Sequence, residues 1–206
     1  MRAAAASPNN DALAEWTAVR DKARLCRACD LWRPATQTVF GDGPVRAPVM
    51  LVGEQPGDKE DIAGKPFVGP AGRILDRALT DAGIARDKAY VTNAVKHFKF
   101  ARRGKIRLHQ KPDTAEIKAC NHWLARERAI VQPRLVIAMG ATAARGVFGK
   151  TMPIGRNRGH LLELDQGAKG LITVHPSYLL RVEEKDKEHE YLAFVADLRL
   201  ARPFAR

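Results

Sequence analysis

Short, continuously apolar segments alternate along this chain with longer segments in which apolar residues recur at helical spacing. Four apolar segments have the composition of buried parallel strands, residues 49–52, 90–92, 135–138 and 171–174. Helical spacing is found in residues 11–25, 72–84, 113–130, 141–148 and 183–200. Strands that alternate with helices predict an α/β fold, namely a three-layer α/β/α sandwich with a central, mostly parallel four-stranded sheet.

The remaining segments do not indicate a second core, so we predict a single domain over residues 1–206, of which residues 1–10 form a disordered leader. No apolar segment approaches the length of a membrane span, and the first residues lack the apolar stretch of a secretory signal. We therefore expect a monomeric, cytoplasmic protein that has no contact with a membrane.

Polar side chains follow three of the predicted strands at the point where each strand ends. Glu54 and Gln55 follow the first strand, Asn93 the second and His175 the fourth. Each has an ordinary alternative role, as a helix cap, a turn residue or a buried histidine with its hydrogen bonds satisfied. The ligand crevice of an open α/β sheet lies outside the carboxyl ends of its strands. Polar residues at three such strand ends therefore favour a binding site.

The segment after the first strand, residues 53–72, is rich in glycine and proline and is predicted to turn tightly without helix or strand. It is not a phosphate-binding P-loop, because it lacks the Gly-Lys-Ser/Thr ending and contains several acids. Those carboxylates suit activation of water or stabilisation of a cation. Phe67 stands among polar residues, where its ring is free to stack on a flat ligand.

The charge balance favours a polyanionic partner. The chain has 35 Lys and Arg residues against 23 Asp and Glu residues, a formal net charge of +12. Residues 96–111 contain seven Lys or Arg residues and no acid. A merely solubilising surface usually mixes the two signs, so we interpret this segment as a phosphate-facing loop.

Two motifs resemble those of the uracil-DNA glycosylase superfamily, in its iron–sulfur branches. They are GEQPGDKEDIAGKPFVGPAG at residues 53–72 and HPSYLLR at residues 175–181, and the resemblance extends over residues 26–181. It implies that a flipped uracil stacks on Phe67, that Asn93 binds its edge and that His175 stabilises the charge developing on its oxygen. It implies further uracil contacts from Gln55 and Asp58. The sugar becomes an oxocarbenium-like cation, which Glu54 is placed to stabilise.

The same resemblance implies which residues contact the DNA. Leu179 or Leu180 is expected to wedge into the vacated base stack, and Arg181 to lie near a phosphate. The full set of expected DNA contacts is Lys96, Lys105, Arg107, Ser177, Leu179 and Arg181. The expected partner is uracil-containing DNA, single-stranded, and the expected setting is DNA repair at a bacterial nucleoid.

The three cysteines, Cys26, Cys29 and Cys120, indicate metal or redox chemistry, because an odd count argues against a disulfide framework. The resemblance implies a structural [4Fe–4S] cluster with these thiolates as ligands, and His97 stands where the family has a further cysteine. Zinc suits the same four ligands. The alternatives are an inert buried thiol for Cys120 and a surface or DNA-facing imidazole for His97.

The basic segment is similar to that of the UdgX-type glycosylases, in which a loop of typical sequence KRRIH ends in a histidine. Here residues 105–109 read KIRLH, with Ile106 in place of an arginine. The resemblance implies that His109 captures the sugar after uracil leaves, so that the protein becomes covalently attached to DNA. Two alternatives stay open: a conventional iron–sulfur glycosylase that hydrolyses with water, and a non-catalytic, zinc-stabilised module that binds nucleic acid.

Overall fold

The computed structural model describes residues 8–206. Within these residues the helices are α1 (Pro8–Ala23), α2 (Asp58–Ala63), α3 (Pro70–Asp81), α4 (Thr114–Val131), α5 (Ala141–Phe148), α6 (Ile154–Asn157), α7 (Pro176–Leu179) and α8 (Lys187–Arg199). The strands are β1 (Val49–Gly53), β2 (Ala89–Asn93), β3 (Phe100–Arg103), β4 (Ile106–His109), β5 (Leu135–Met139), β6 (Leu161–Glu163) and β7 (Lys169–Thr173).

The central sheet has the order β2-β1-β5-β7-β6, and β6 alone runs antiparallel to its neighbour. The parallel α/β prediction is therefore confirmed, with five strands instead of four. The strand missed by the sequence, β6, is three residues long and alternates exposed and half-buried positions at the sheet edge. A segment this short has too little apolar pattern to be distinguished from a loop.

Alternate residues of each strand enter two different cores, which produces the three layers. Val49 and Leu51 of β1 pack with α3 and α8 on one face, whereas Met50 and Val52 pack with α4 and α5 on the other. The parallel register aligns the strand ends, because Gly53 of β1 is paired with Asn93 of β2. Residues that follow the strands therefore meet at one edge of the sheet.

Two segments predicted to be irregular are regular. Residues 58–63 form helix α2, because this stretch of the glycine-rich segment has no glycine or proline, and its acids Asp58, Glu60 and Asp61 lie in the first turn. Gly64 ends the helix in the left-handed conformation at φ 70°. The basic loop is an antiparallel hairpin of β3 and β4, which turns at Gly104, where φ is 59°.

The predicted leader is wrong for residues 8–10, because α1 begins at Pro8. A proline is compatible with the first turn of a helix, where its missing N–H has no partner to lose. Residues 1–7, the rest of the predicted leader, lie outside the described residues. A capping box begins α4: Asp113 accepts a hydrogen bond from Glu116 N, and the Glu116 side chain accepts one from Asp113 N.

Candidate active site

A narrow cleft opens where β1, β2 and β7 end, and three predicted side chains converge on it beside Gly53. A Cβ atom added to Gly53 would lie 2.4 Å from Asn93 Oδ1, 2.7 Å from Phe67 Cζ and 3.3 Å from His175 Nε2. The missing side chain of Gly53 therefore lets an amide, a phenyl ring and an imidazole approach the same point of the backbone. An aromatic ring beside hydrogen-bonding groups is the combination that recognises a flat, polar ring.

Phe67 is held in the cleft by an unusual backbone conformation. Its φ is 56°, which is rare for an aromatic residue and costs about 1–3 kcal/mol. Its ring stacks against the His175 ring with centroids 6.1 Å apart and planes at 28°. Its carbonyl lies 1.7 Å from where a Cβ of Gly72 would stand, so the tight turn requires glycine at that position.

The hydrogen bonds of His175 define which ring nitrogen faces the cleft. Ser177 N donates to His175 Nδ1 at 3.1 Å, so Nδ1 is an acceptor and the proton of the neutral ring resides on Nε2. Burial is the largest cause that lowers the pKa of His175 to about 4, and electrostatic interaction with the His109 and Arg181 side chains lowers it further. A neutral imidazole thus presents an N–H donor to the space beside Gly53.

The Glu54 carboxylate lies between a helix and the hairpin. Thr142 Oγ1 donates to Glu54 Oε2 at 2.5 Å, and His109 Nε2 lies 3.4 Å from Glu54 Oε1. Thr142 is absent from the set of residues predicted from the sequence. Thr142 lies just beyond β5, the third strand predicted from the sequence, as Glu54 lies just beyond β1. The rule that polar residues beyond strand ends form the site therefore applies to Thr142 as well.

Arg107 anchors the hairpin to α2, and this is what places His109. The two residues lie on the same face of β4. Arg107 Nε donates to Asp58 Oδ1 at 2.6 Å, and Nη1 donates to Asp61 Oδ2 at 2.6 Å. The Arg107 side chain is only 13% exposed and binds Asp58. The phosphate contact of Arg107 and the uracil contact of Asp58 stay predictions, and each would require this ion pair to rearrange.

Gln55 closes the base of the same hairpin. Its Oε1 accepts from Lys99 N at 3.0 Å, and its Nε2 donates to Gln110 O at 2.9 Å and to Lys99 O at 3.2 Å. The carboxamide is buried with both its donor and its acceptor engaged, so this side chain positions the hairpin. The uracil contact of Gln55 stays a prediction.

Lys96 was predicted to bind DNA, and the structure corrects this. The side chain is buried, forms an ion pair with Glu127, and donates to Thr92 Oγ1 at 2.7 Å and to Asn93 O at 2.7 Å. An ammonium group committed to a buried carboxylate is unable to reach a phosphate. The Lys96 side chain instead supports the end of β2, where Asn93 stands.

Three further residues of the predicted DNA surface have different outcomes. Leu179 is 6% exposed and packs in the core, whereas Leu180 is 48% exposed, so of the two Leu180 is accessible to DNA. Ser177 N donates to His175 Nδ1, and the Ser177 hydroxyl lies 2.8 Å from the same nitrogen; the DNA contact of Ser177 stays a prediction. Lys105, at the hairpin turn, and Arg181 are exposed, as DNA contacts must be.

The three cysteines are neighbours at one end of α4. Cys29 packs against the apolar cluster that contains Cys120, and Lys96 N donates to Cys120 Sγ at 3.2 Å. Burial raises the pKa of Cys120 to about 12 and also raises the pKa of Cys29. Within residues 8–206, no group of three or more His, Cys, Asp or Glu side chains is arranged so that it could hold a metal ion.

His97 is buried, which excludes the surface or DNA-facing alternative. The Thr38 hydroxyl donates to Ala23 O at 3.1 Å and lies 2.9 Å from His97 Nε2. Because the single hydroxyl proton is used on Ala23, Nε2 of His97 is the donor in the second contact. Burial lowers the pKa of His97 to about 4, so the ring is neutral.

No helix within residues 8–206 combines the length and the hydropathy that a membrane-spanning helix requires.

Comparison with known proteins agrees with the geometry of the cleft. Residues 40–199 match the family model of the uracil DNA glycosylase superfamily. The chain is 37% identical over 164 residues to a type-4 uracil-DNA glycosylase of Thermotoga maritima, covering 79% of this chain and 82% of that protein. Proteins of the same name from Saccharolobus solfataricus and Archaeoglobus fulgidus are 34% and 30% identical, covering 79% and 80% of this chain and 76% and 83% of theirs. The chain therefore belongs to the uracil DNA glycosylase superfamily.

Proposed function

We propose that this protein excises a flipped uracil from DNA and that His109 then captures the sugar, which leaves the protein covalently attached to the strand. The observation that carries the proposal is the contact of His109 Nε2 with Glu54 Oε1 at 3.4 Å, on a hairpin anchored by Arg107 over the cleft. The type-4 glycosylases to which the chain is similar support uracil as the base.

The cleft beside Gly53 supports recognition and departure of the base. The ring of uracil is expected to stack on Phe67, while the Asn93 amide binds its edge. When the C1′–N1 bond breaks, its electron pair leaves with uracil as an anion, and His175 Nε2–H is placed to donate to the charged oxygen. Donors fixed where charge develops lower a barrier strongly, because they require no reorganisation during the reaction.

The capture step balances through Glu54. The carboxylate stabilises the sugar cation and accepts the Nε2 proton of His109, and the freed lone pair forms the Nε2–C1′ bond. The proton then passes to the uracil anion, so an imidazole N–H and a C1′–N1 bond are exchanged for an imidazole N–C1′ bond and a uracil N–H. An oriented intramolecular group has an effective molarity of about 10⁵–10⁸ M, which exceeds that of water.

The exposed basic residues support DNA as the partner. Arg102, Arg103 and Lys105 lie exposed at the tip of the hairpin, and Arg181 follows the exposed Leu180 on another side of the cleft. Together they give phosphate contacts around a wedge residue. A single strand is the proposed substrate, since its bases are unpaired and flipping then costs least.

The residue types near α4 have the chemistry of iron–sulfur ligands, although within residues 8–206 their side chains are not gathered into a metal site. Cys26, Cys29 and Cys120 are close enough that the charges of the first two raise the pKa of the third, and His97 is neutral, as a ligand must be. These four residues would hold the cluster, whose thiolate ligation would tie the end of α1 to α4. Iron and acid-labile sulfide analysis of protein purified without oxygen distinguishes it from zinc.

The test of the proposal is incubation with single-stranded DNA that contains one uracil. We expect a protein–DNA complex that survives boiling in SDS, formed in a ratio of one protein to one strand. An oligonucleotide with thymine in place of uracil is the control and should give no complex. Abasic DNA formed with repeated turnover and no complex would instead support the hydrolytic glycosylase. The 51% exposure of the His109 side chain is the observation that favours this alternative, because it leaves water access to the same place.

The close packing of Asn93, Phe67 and His175 on Gly53 gives a second prediction. Gly53→Ala places a methyl group 2.4 Å from Asn93 Oδ1 and 2.7 Å from Phe67 Cζ, which displaces the groups that contact the base. We expect uracil release to fall about 100-fold, as measured by single-turnover assay of the free base. Gly155→Ala is the matched control, because its added Cβ meets nothing within 4 Å. Equal rates for the two variants would contradict the assigned base position.

A further inference from the structure

We propose that Thr142 is a positioning residue that orients the Glu54 carboxylate toward His109 and thereby decides how much of the sugar cation is captured by protein instead of water. This inference rests on the proposed function and extends it to a residue outside the sequence motifs. The observation that carries it is the chain of contacts from Thr142 Oγ1 to Glu54 Oε2 and from Glu54 Oε1 to His109 Nε2.

Thr142 is suited to this role by its location. It is the second residue of α5 and is buried, and β5 leads into this helix through the single residue Gly140. A β-branched side chain at a buried helical position has few rotamers available, so the hydroxyl has a fixed direction. Threonine hydroxyls near the start of a helix often cap the helix. In α5 the N-cap residue is Gly140 and there is no side-chain cap hydrogen bond, so the Thr142 hydroxyl does not serve as a cap. The hydroxyl proton of Thr142 is donated to Glu54.

The surroundings of Glu54 leave the orientation of its carboxylate to these two contacts. Within residues 8–206, His109 supplies the only Lys, Arg or His nitrogen within 4.0 Å of the Glu54 oxygens. The two oxygens of a carboxylate are equivalent until a donor occupies one of them. With Oε2 committed to Thr142, the lone pairs of Oε1 are directed at the His109 ring, where a proton must be accepted for capture.

Loss of the Thr142 hydroxyl affects capture of the sugar cation more than departure of the base. Without the bond from Thr142, the carboxylate turns about its terminal torsion, and its contact with His109 loosens. The Thr142 hydroxyl is hydrogen-bonded to Glu54 and not to the Asn93 amide or the His175 ring, which are proposed to hold the departing base. The sugar cation therefore still forms, but water takes a larger share of it.

The test compares Thr142→Val, which has the shape of threonine without the hydroxyl, with Thr142→Ser, which keeps the hydroxyl. Each is incubated with single-stranded uracil DNA, and the SDS-stable adduct and the free abasic strand are quantified together. We expect the ratio of adduct to abasic strand to fall about tenfold or more in Thr142→Val, the usual effect of a hydrogen bond to a charged group. Thr142→Ser should restore the ratio to within about twofold of wild type.

Thr173→Val is the matched control, because it removes another hydroxyl-to-carboxylate bond, from Thr173 Oγ1 to Asp197 Oδ2 at 2.6 Å, without touching Glu54. Its ratio should stay that of wild type even if its stability falls. Thermal unfolding of every variant is measured, and Thr142→Ala serves if the valine variant does not fold.

The outcomes separate this inference from the proposed function. An unchanged ratio in Thr142→Val, or equal losses in the serine and valine variants, overturns the role of Thr142 while leaving capture by His109 intact. Wild-type protein that releases uracil and forms no adduct overturns both. A fall in the valine variant that serine reverses, with the Thr173 control unchanged, supports the inference.

Discussion

Replacing His109 with glycine is expected to abolish the SDS-stable adduct and to convert the protein into a glycosylase that releases abasic DNA and turns over. The imidazole lies 3.4 Å from the Glu54 carboxylate, so its removal leaves a space where water can reach the same oxygen. Glu54 then accepts a proton from water in place of the ring nitrogen. In the proposed mechanism, base departure depends on Asn93 and His175, which lie beside Gly53.

The measurement is a time course with excess uracil DNA, in which adduct and abasic strand are quantified from the same gel. We expect adduct to fall more than about 100-fold, in keeping with the effective molarity lost with the ring. His160→Gly is the matched control, since this exposed loop histidine is outside the cleft and its loss should leave adduct formation unchanged. An adduct that persists in His109→Gly would remove this residue from the covalent step.

Replacing Lys96 with methionine is expected to give the largest loss of stability among single substitutions of this site. Glu127 is fully buried and accepts hydrogen bonds from Gly41 N, Tyr90 Oη and Thr92 Oγ1 as well as forming the ion pair with Lys96. Methionine leaves that carboxylate without its counter-charge. Breaking a buried pair in this way costs about 3–5 kcal/mol.

The free energy of unfolding in denaturant measures this effect. Lys169→Met is the matched control, because Lys169 pairs with Glu163 on the exposed sheet edge, where a pair contributes about 0–1 kcal/mol. The double variant Lys96→Met with Glu127→Gln should recover part of the loss, since no charge is then buried alone. Equal losses for Lys96→Met and Lys169→Met would show that the buried pair contributes no more than the exposed one.

The sheet and the cleft could be predicted because their signals are local in the sequence. The central strands are largely apolar, since both of their faces are covered, and Glu54, Asn93 and His175 stand at or just beyond the end of a strand. The parallel register that aligns Gly53 with Asn93 then brings them together. Phe67 was identified from its polar surroundings, although its positive φ could not be.

What the sequence did not reveal depends on partners that are distant along the chain. Lys96 is separated from Glu127 by 31 positions, and Arg107 from Asp58 by 49. A basic residue destined for a buried carboxylate has the same local pattern as one that faces phosphate. Leu179 and Leu180 could not be distinguished for a similar reason, because one position along a short helix reverses which side chain is buried.

The hairpin that carries His109 is joined to the rest of the protein chiefly through side chains, from Arg107 to α2 and from Gln55 to its base, while its own backbone bonds run between β3 and β4. Its replacement would leave every hydrogen bond of the central sheet in place. Under the proposed capture by His109, the difference between a glycosylase that turns over and a protein consumed by each lesion would therefore lie chiefly in this hairpin. Grafting the hairpin onto a hydrolytic glycosylase would then be a route to a stoichiometric label for uracil in DNA.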